Sequence, residues 1–135
     1  MITGISHLTL SVKQLARSYR FYVDVLGCKP AAKWPKGAYV TAGNVWIALV
    51  LDKSTRTGPL PEYTHIAFRV PARSFDAFAG RIRASRAKVF QENVTEGKSL
   101  YFLDPDGHKL EIHVGDLKSR IRSAKKAPWN GLEFL

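Results

Sequence analysis

The chain has 135 residues, of which 45% are hydrophobic, and this length suits a single domain with a substantial core. No apolar run approaches the roughly 20 residues that a transmembrane helix needs, and the single Cys28 excludes an internal disulfide. The formal net charge of +10 arises from 21 Lys and Arg residues against 11 Asp and Glu residues, and it predicts attraction to an anionic partner. We therefore expect a cytoplasmic protein with an anionic ligand.

The positive charge does not by itself predict a nucleic-acid partner. Many of the cations lie near residues 81–88 and 118–126, where helices are expected. They are not accompanied by a helix-turn-helix, zinc-knuckle or RNP-like aromatic pattern. Because a small anionic substrate requires only two or three cations, we favour small-molecule chemistry.

The first half of the chain predicts the element order β-α-β-β-β. Ile5 to Val12 alternates apolar and polar residues, as a strand does, and Gln14 to Leu26 carries apolar residues at helical spacing. Gly27 follows as a typical C-cap. Three more strands are predicted at 29–34, 38–42 and 45–51, and the polar segment 52–61 is typical of a linker.

The second half repeats this plan. We predict a strand at 63–70, a helix at 72–85 that Ser74 caps, and strands at 87–91, 99–103 and 109–114. The segment Asp104-Pro105-Asp106-Gly107 is a strong turn signal, because Pro stands second and Gly fourth. We expect His108, directly after this turn, to be exposed to solvent. Asp116 is suited to cap a last helix at 117–127.

These elements predict one α+β domain made of two modules. Halves of about 60 residues would each be marginally stable alone, so residues 1–135 are expected to form a single domain. Module one would span about 4–51 and module two about 62–115, and a C-terminal helix and tail would occupy 116–135. The duplication also favours a dimer.

Two histidines occupy equivalent positions in the two modules. A shift of 58 residues superposes His7 on His65, and the strand at 109–114 adds a carboxylate, Glu111. Two imidazoles and one carboxylate suit a divalent metal and leave positions open for substrate. A lone strand histidine is usually structural, but the equivalence of the two positions favours His7, His65 and Glu111 as metal ligands. His113 could instead be a rival ligand or a partner of Glu111.

These motifs resemble the vicinal oxygen chelate superfamily, which includes glyoxalases and bleomycin-resistance proteins. The segments His7-Leu8-Thr9-Leu10, Tyr63-Thr64-His65 and above all Tyr101 to Gly115 carry the resemblance. Within the superfamily the whole chain is most similar to the fosfomycin-resistance thiol transferases of the FosA type. The resemblance implies two β-α-β-β-β modules that form a concave mixed sheet, and a homodimer whose paired modules build the site.

The resemblance also implies an activity and a set of site residues. The protein would confer fosfomycin resistance by adding glutathione to the oxirane ring, with Mn²⁺ or another divalent metal bound by His7, His65 and Glu111. Thr9 would be the catalytic residue beside the oxirane oxygen. The implied K⁺ ligands are Asn93, Thr95, Gly97 and Ser99. The implied substrate contacts, besides Thr9, are Tyr39, Trp46, Thr95, Ser99, Tyr101 and Arg120.

Two positions depart from the family's pattern. Gln91 stands where the best-known members have a lysine, and Val94 stands where they have an arginine. Loss of each cation should weaken phosphonate or glutathione binding by about 1 to 3 kcal/mol if the contact was charge-assisted. Either the protein is a poorer resistance enzyme, or Lys98 or another nearby cation compensates; a third alternative is that it prefers a different thiol or epoxide.

Other functions fit parts of the same pattern. Extradiol-type dioxygenases use two histidines and one carboxylate with iron(II), although the potassium-like loop and the hydroxyls suited to phosphonate favour the transferase. Epoxide hydrolases of the family need an added glutamate, and no acidic residue lies between Asp24 and Asp52. Bacillithiol-using relatives lack the potassium loop. A drug-binding module of this fold would need no metal triad.

Overall fold

A computed structural model describes all residues of the chain, 1–135. It contains eight strands and three α-helices, and the first helix continues directly into a π-helical turn, Phe21–Val25. The elements of the first half are β1 (His7–Val12), α1 (Leu15–Arg20), β2 (Lys29–Trp34), β3 (Gly37–Ala42) and β4 (Val45–Leu51). Those of the second half are β5 (Ile66–Arg69), α2 (Ala72–Ala84), β6 (Val89–Gln91), β7 (Ser99–Leu103), β8 (Lys109–His113) and α3 (Leu117–Lys126).

The two halves form two four-stranded mixed sheets with equivalent topology. The strand order is β1-β4-β3-β2 in the first sheet and β5-β8-β7-β6 in the second. In each sheet the first and last strands of the module run parallel, and the other neighbours are antiparallel. This repetition confirms the predicted α+β fold of two β-α-β-β-β modules. None of the helices has the length and apolar character needed to cross a membrane.

Helix ends show where local sequence signals succeed and fail. Asp116 caps α3 as predicted, because its side chain accepts a hydrogen bond from the Ser119 backbone N–H at 2.9 Å. The prediction that Ser74 caps α2 is wrong, because that helix begins two residues earlier, at Ala72. Pro71 holds the N-cap position with an extended ψ of 143°, and a proline already has the φ that a helix start requires.

One hydrophobic core joins the two modules. The strands of the first sheet contribute Leu10, Val12, Val40, Ile47 and Leu49, those of the second contribute Leu100, Phe102, Leu110 and Ile112, and the helical segments add Phe21, Tyr22, Phe75, Ala79 and Ile82. Alternation along a strand sends the intervening side chains to the opposite face. His7 and Thr9 of β1, and Glu111 and His113 of β8, therefore lie on sheet faces that turn away from this core.

The predicted turn at 104–107 connects the modules through buried hydrogen bonds. Asp106 accepts hydrogen bonds from the Lys13 backbone N–H at 3.0 Å, Arg17 Nη2 at 3.0 Å and Ser18 Oγ at 2.8 Å. The Tyr22 hydroxyl donates to Asp104 at 2.8 Å. Burial raises the pKa of the Asp104 carboxyl above its ordinary value of 3.8, and burial beside Asp104 raises the pKa of Tyr22.

The structure also corrects the expectation for His108. This side chain is half-buried, with its Nε2 2.8 Å from the Ser11 carbonyl oxygen and its Nδ1 3.0 Å from Arg56 Nη2. The turn lies against the end of β1, so the residue that follows it is enclosed between modules rather than exposed. His108 thus belongs to the connection between modules and not to the candidate site.

Candidate metal centre

The second sheet brings two of the three predicted metal ligands together. Glu111 is 5% exposed, and its Oε2 lies 3.0 Å from His65 Nε2. Its other oxygen, Oε1, accepts a hydrogen bond from Ser99 Oγ at 2.7 Å. Two ligands bound at right angles about 2.1 Å from a divalent ion would be about 3 Å apart, so the spacing of His65 and Glu111 suits such an ion.

The third predicted ligand, His7, lies on the first sheet and is exposed. Its ring stacks on Trp46 with a centroid distance of 4.4 Å. The structure does not bring His7 to His65 and Glu111, and the chain contains no group of three or more His, Cys, Asp or Glu side chains placed to hold a metal ion. The physical reason is that His7 and Glu111 lie on different sheets, each on the strand face opposite to the residues that form the core.

The matching strand registers show which residue of the first sheet corresponds to Glu111 of the second. Thr9 pairs with Ala48 across β1 and β4, and Ala67, which is 58 residues after Thr9, pairs with Glu111 across β5 and β8. Ala48 thus occupies in the first module the position that Glu111 occupies in the second. Each module supplies a histidine, and one of them adds the acid.

The predicted potassium ligands form a compact loop between β6 and β7. Asn93 Oδ1 accepts hydrogen bonds from the backbone N–H and the hydroxyl of Thr95, at 3.1 and 2.9 Å, and Asn93 Nδ2 donates to the Gly97 carbonyl at 2.8 Å. Ser99 follows at the start of β7 and contacts Glu111. The loop therefore leads directly to the buried carboxylate, and the K⁺ role of these residues stays a prediction.

The predicted substrate residues divide between the two sheets. Tyr101 is 4% exposed, and its ring centroid lies 5.8 Å from that of His65. Arg120 Nε lies 4.0 Å from Glu96 Oε2, so α3 brings a cation to the loop at 93–99. Thr9, Tyr39 and Trp46 lie on the first sheet, on the same face as His7.

The two residues that depart from the family's pattern, Gln91 and Val94, differ in their contacts. Gln91 Nε2 donates to the Tyr63 hydroxyl at 2.9 Å, beside His65, and Val94 is 90% exposed. Lys98, considered above as a compensating cation, forms an ion pair with Asp76 of α2 at 2.9 Å. Lys98 is thus engaged by Asp76, whereas Arg120 reaches the loop at Glu96.

Comparison with known proteins identifies the family. The model of the Glyoxalase/Bleomycin resistance protein/Dioxygenase superfamily matches residues 4–112. The chain belongs to this superfamily. It is 40% identical over 136 residues to the glutathione transferase FosA of Serratia marcescens, covering 99% of this chain and 96% of that protein. It is 35% identical to the metallothiol transferase FosB of Staphylococcus haemolyticus, with 94% of each chain covered.

Solved structures of fosfomycin resistance proteins have a similar fold. The fosfomycin resistance protein FosX from Listeria monocytogenes superposes with a TM-score of 0.77 at 31% identity, over 89% of this chain and 99% of that one. A glutamate-to-glutamine mutant of the same protein, complexed with Mn(II) and 1S,2S-dihydroxypropylphosphonic acid, gives a TM-score of 0.77 at 28% identity and covers 90% of this chain and 99% of that one. The predicted resemblance and fold are thereby confirmed.

Tyr39 and Trp46, both predicted as substrate contacts, belong to an aromatic row on the first sheet that also includes Trp34, which was not predicted. Tyr39 packs edge-to-face on Trp46 at 5.0 Å and on Trp34 at 4.8 Å, and Trp46 stacks on His7. The buried Trp46 Nε1 has no hydrogen-bond partner. The alternation of residues 34–46 could have shown this row, had the strands been placed in register.

Proposed function

We propose that this protein confers fosfomycin resistance by a metal-dependent addition of glutathione to the oxirane ring of fosfomycin. The observation that carries the proposal is the buried Glu111 carboxylate directed at His65 Nε2, 3.0 Å away. It occurs in a chain that is 40% identical, over 99% of its length, to a glutathione transferase. The relatives named for fosfomycin resistance supply the substrate class.

We further propose that Mn²⁺ is held by His65 and Glu111 of one copy and His7 of a second copy. His7 and Thr9 are exposed, and so is every residue of β2, which leaves the first sheet open to a partner. In a twofold homodimer, each His7 would face the His65 and Glu111 pair of the other copy, giving two equal sites. The Mn(II) in the FosX complex supports the choice of metal.

The chain's own residues can then orient and polarise the substrate. When bound, the metal would act as a Lewis acid for the negative charge that develops on the oxirane oxygen. Thr9 lies two residues along β1 from His7 on the same face, so its hydroxyl can donate a hydrogen bond to that oxygen. Arg120 and the hydroxyls of Thr95 and Tyr101 would bind the phosphonate, Ser99 would lie beside it with its hydroxyl hydrogen donated to Glu111, and Tyr39 and Trp46 would line the pocket.

Potassium is the second cation of the proposal. The oxygens of Asn93, Thr95, Gly97 and Ser99 belong to one loop, and the Ser99 hydroxyl at its end donates a hydrogen bond to Glu111. K⁺ bound there would place positive charge beside the phosphonate, which carries up to two negative charges. Replacement of K⁺ by Na⁺ at constant ionic strength is expected to slow the reaction.

A product assay tests the activity. Purified protein with Mn²⁺ and K⁺ is incubated with fosfomycin and either glutathione, bacillithiol, cysteine or no thiol, and products are identified by mass spectrometry. We expect the glutathione adduct as the main product, and we expect Glu111→Gln to abolish it. A diol formed without thiol would favour a hydrolase, a possibility raised by the dihydroxypropylphosphonic acid in the FosX complex. Absence of any fosfomycin product would contradict the proposal.

A further inference from the structure

His113 lies beside the metal centre, and the proposed function leaves it without a role. Its side chain is 17% exposed and its Nδ1 lies 2.7 Å from Ser99 Oγ and 3.4 Å from Glu111 Oε1. Ser99 Oγ is itself 2.7 Å from Glu111 Oε1. The three side chains thus form a short hydrogen-bonded chain that ends on the buried carboxylate.

The available hydrogens fix the direction of this chain. An ionised carboxylate only accepts hydrogen bonds, so the one hydroxyl hydrogen of Ser99 is donated to Glu111 Oε1. Ser99 Oγ then accepts from the Nδ1–H of His113, which selects that tautomer of the imidazole. Glu111 Oε1 is held in place, and Oε2, the oxygen nearest His65, is left to bind a metal ion.

The backbone around His113 leaves space for an imidazole. Gly97 and Gly115 flank the ring and have positive φ values of 81° and 139°. A Cβ on Gly115 would lie 2.8 Å from His113 Nε2, and one on Gly97 would lie 3.2 Å from its Cε1. The ring is therefore held between the loop at 93–99 and the start of α3, and its Nδ1 is directed at Ser99.

We propose that His113 is a positioning residue of the metal centre, acting through Ser99 to hold Glu111 with one oxygen free for the ion. The inference rests on the proposed function, because it requires Glu111 to be a ligand. Residues that orient metal ligands in this way usually change metal affinity by about 10- to 100-fold when they are replaced.

Two amide substitutions test the direction of the hydrogen bond. His113→Asn places an N–H near the position of Nδ1, whereas His113→Gln places it near Nε2. We expect the Asn variant to keep Mn²⁺ affinity within about 3-fold of wild type and the Gln variant to lose about 10- to 100-fold. The measurement is a Mn²⁺ titration that follows the electron paramagnetic resonance signal of the free ion. Thermal unfolding of the metal-free variants reports folding separately.

The outcomes distinguish this inference from the proposed function. Equal Mn²⁺ affinity of both variants, whether unchanged or equally weakened, would overturn the role of His113 and leave the transferase proposal intact. A wild-type protein that binds no Mn²⁺ would contradict the proposed function and the inference together. If His113→Gln fails to fold, Ser99→Ala replaces it in potassium-free buffer, where it is expected to weaken Mn²⁺ binding to the same extent.

Discussion

Cys28, the only thiol of the chain, is buried in the core and lies outside the metal centre. Burial raises the pKa of Cys28 to about 11. At pH 8 only about one thiol in a thousand would be ionised, and the thiolate is the reactive form. We predict that Ellman's reagent labels the native protein slowly and the urea-unfolded protein rapidly. We also predict that Cys28→Ser keeps its activity on fosfomycin. Rapid labelling of the folded protein would show that Cys28 is accessible.

Val94 offers a second test at the scale of one residue. It is 90% exposed on the loop at 93–99, so a longer side chain fits there without disturbing the core. We predict that Val94→Arg raises kcat/KM by about 5-fold or more, which corresponds to about 1 kcal/mol from one charge-assisted contact. Val94→Leu is the neutral control and should leave kcat/KM unchanged. Equal values for both variants would mean that the loop does not contact an anionic substrate.

At the scale of structural elements, the turn at 104–107 is the main polar connection between modules. Asp106 is 3% exposed and accepts three hydrogen bonds from the segment that joins β1 to α1 and from α1 itself. We predict that Asp106→Ala lowers the free energy of unfolding by about 3 kcal/mol in urea titrations, because it leaves buried donors unpaired. The matched control is Asp76→Ala, which removes an exposed ion pair and should cost less than about 0.5 kcal/mol. Similar losses would contradict this assignment.

Asp104 in the same turn should make the stability of the protein depend on pH. Because burial raises the pKa of Asp104 above 3.8, ionisation of this group costs stability in the folded protein. That cost is absent below pH 3.8, grows as pH rises from 3.8 through the raised pKa, and is constant above it. Asp104→Asn removes the titration, so the stability of this variant relative to wild type should rise over that window and then level. A relative stability that falls with rising pH would show that the Asp104 carboxylate is stabilised by its partners.

Periodicity and turn signals in the sequence predicted most strands and helices of the fold. Strands β2, β4 and β7 begin and end at their predicted residues, and turn signals at Pro35-Lys36-Gly37 and Gly43-Asn44 separate the strands of the first module. Ser74 misled the prediction because a good capping residue also occurs in the first turn of a helix, and Val70-Pro71 determined the actual start. The prediction that His108 is exposed was wrong because residues distant in sequence, Ser11 and Arg56, contact its side chain, and the local sequence does not contain that information.

The candidate site was predictable only in part for the same reason. Equivalent positions in the repeat favoured His7 and His65 as metal ligands, which stays a prediction, and the structure places His65 beside Glu111 at the start of the parallel pair β5 and β8. The separation of His7 from this pair depends on which faces the shared core covers, which periodicity within one strand cannot specify. The link from His113 through Ser99 depends on side-chain geometry across two strands.

At the scale of the whole molecule, the proposed metal centre with His7, His65 and Glu111 requires two copies of the chain. In one copy the core buries one face of each sheet, His7 lies on the other face of the first sheet, and the His65 and Glu111 pair belongs to the second sheet. Two copies related by a twofold axis could close both sites with the same contact. We therefore propose that each metal centre is shared between two subunits.

Mixing two inactive variants tests this claim most directly. His7→Ala and Glu111→Ala are each expected to lack fosfomycin–glutathione transferase activity. In a mixed dimer that contains one copy of each, one site combines both defects and the other has His7, His65 and Glu111 intact. After unfolding and refolding an equal mixture, half of the dimers are mixed, and activity should recover to about one quarter of wild type. A mixture that stays as inactive as either variant alone would contradict a metal centre shared between subunits.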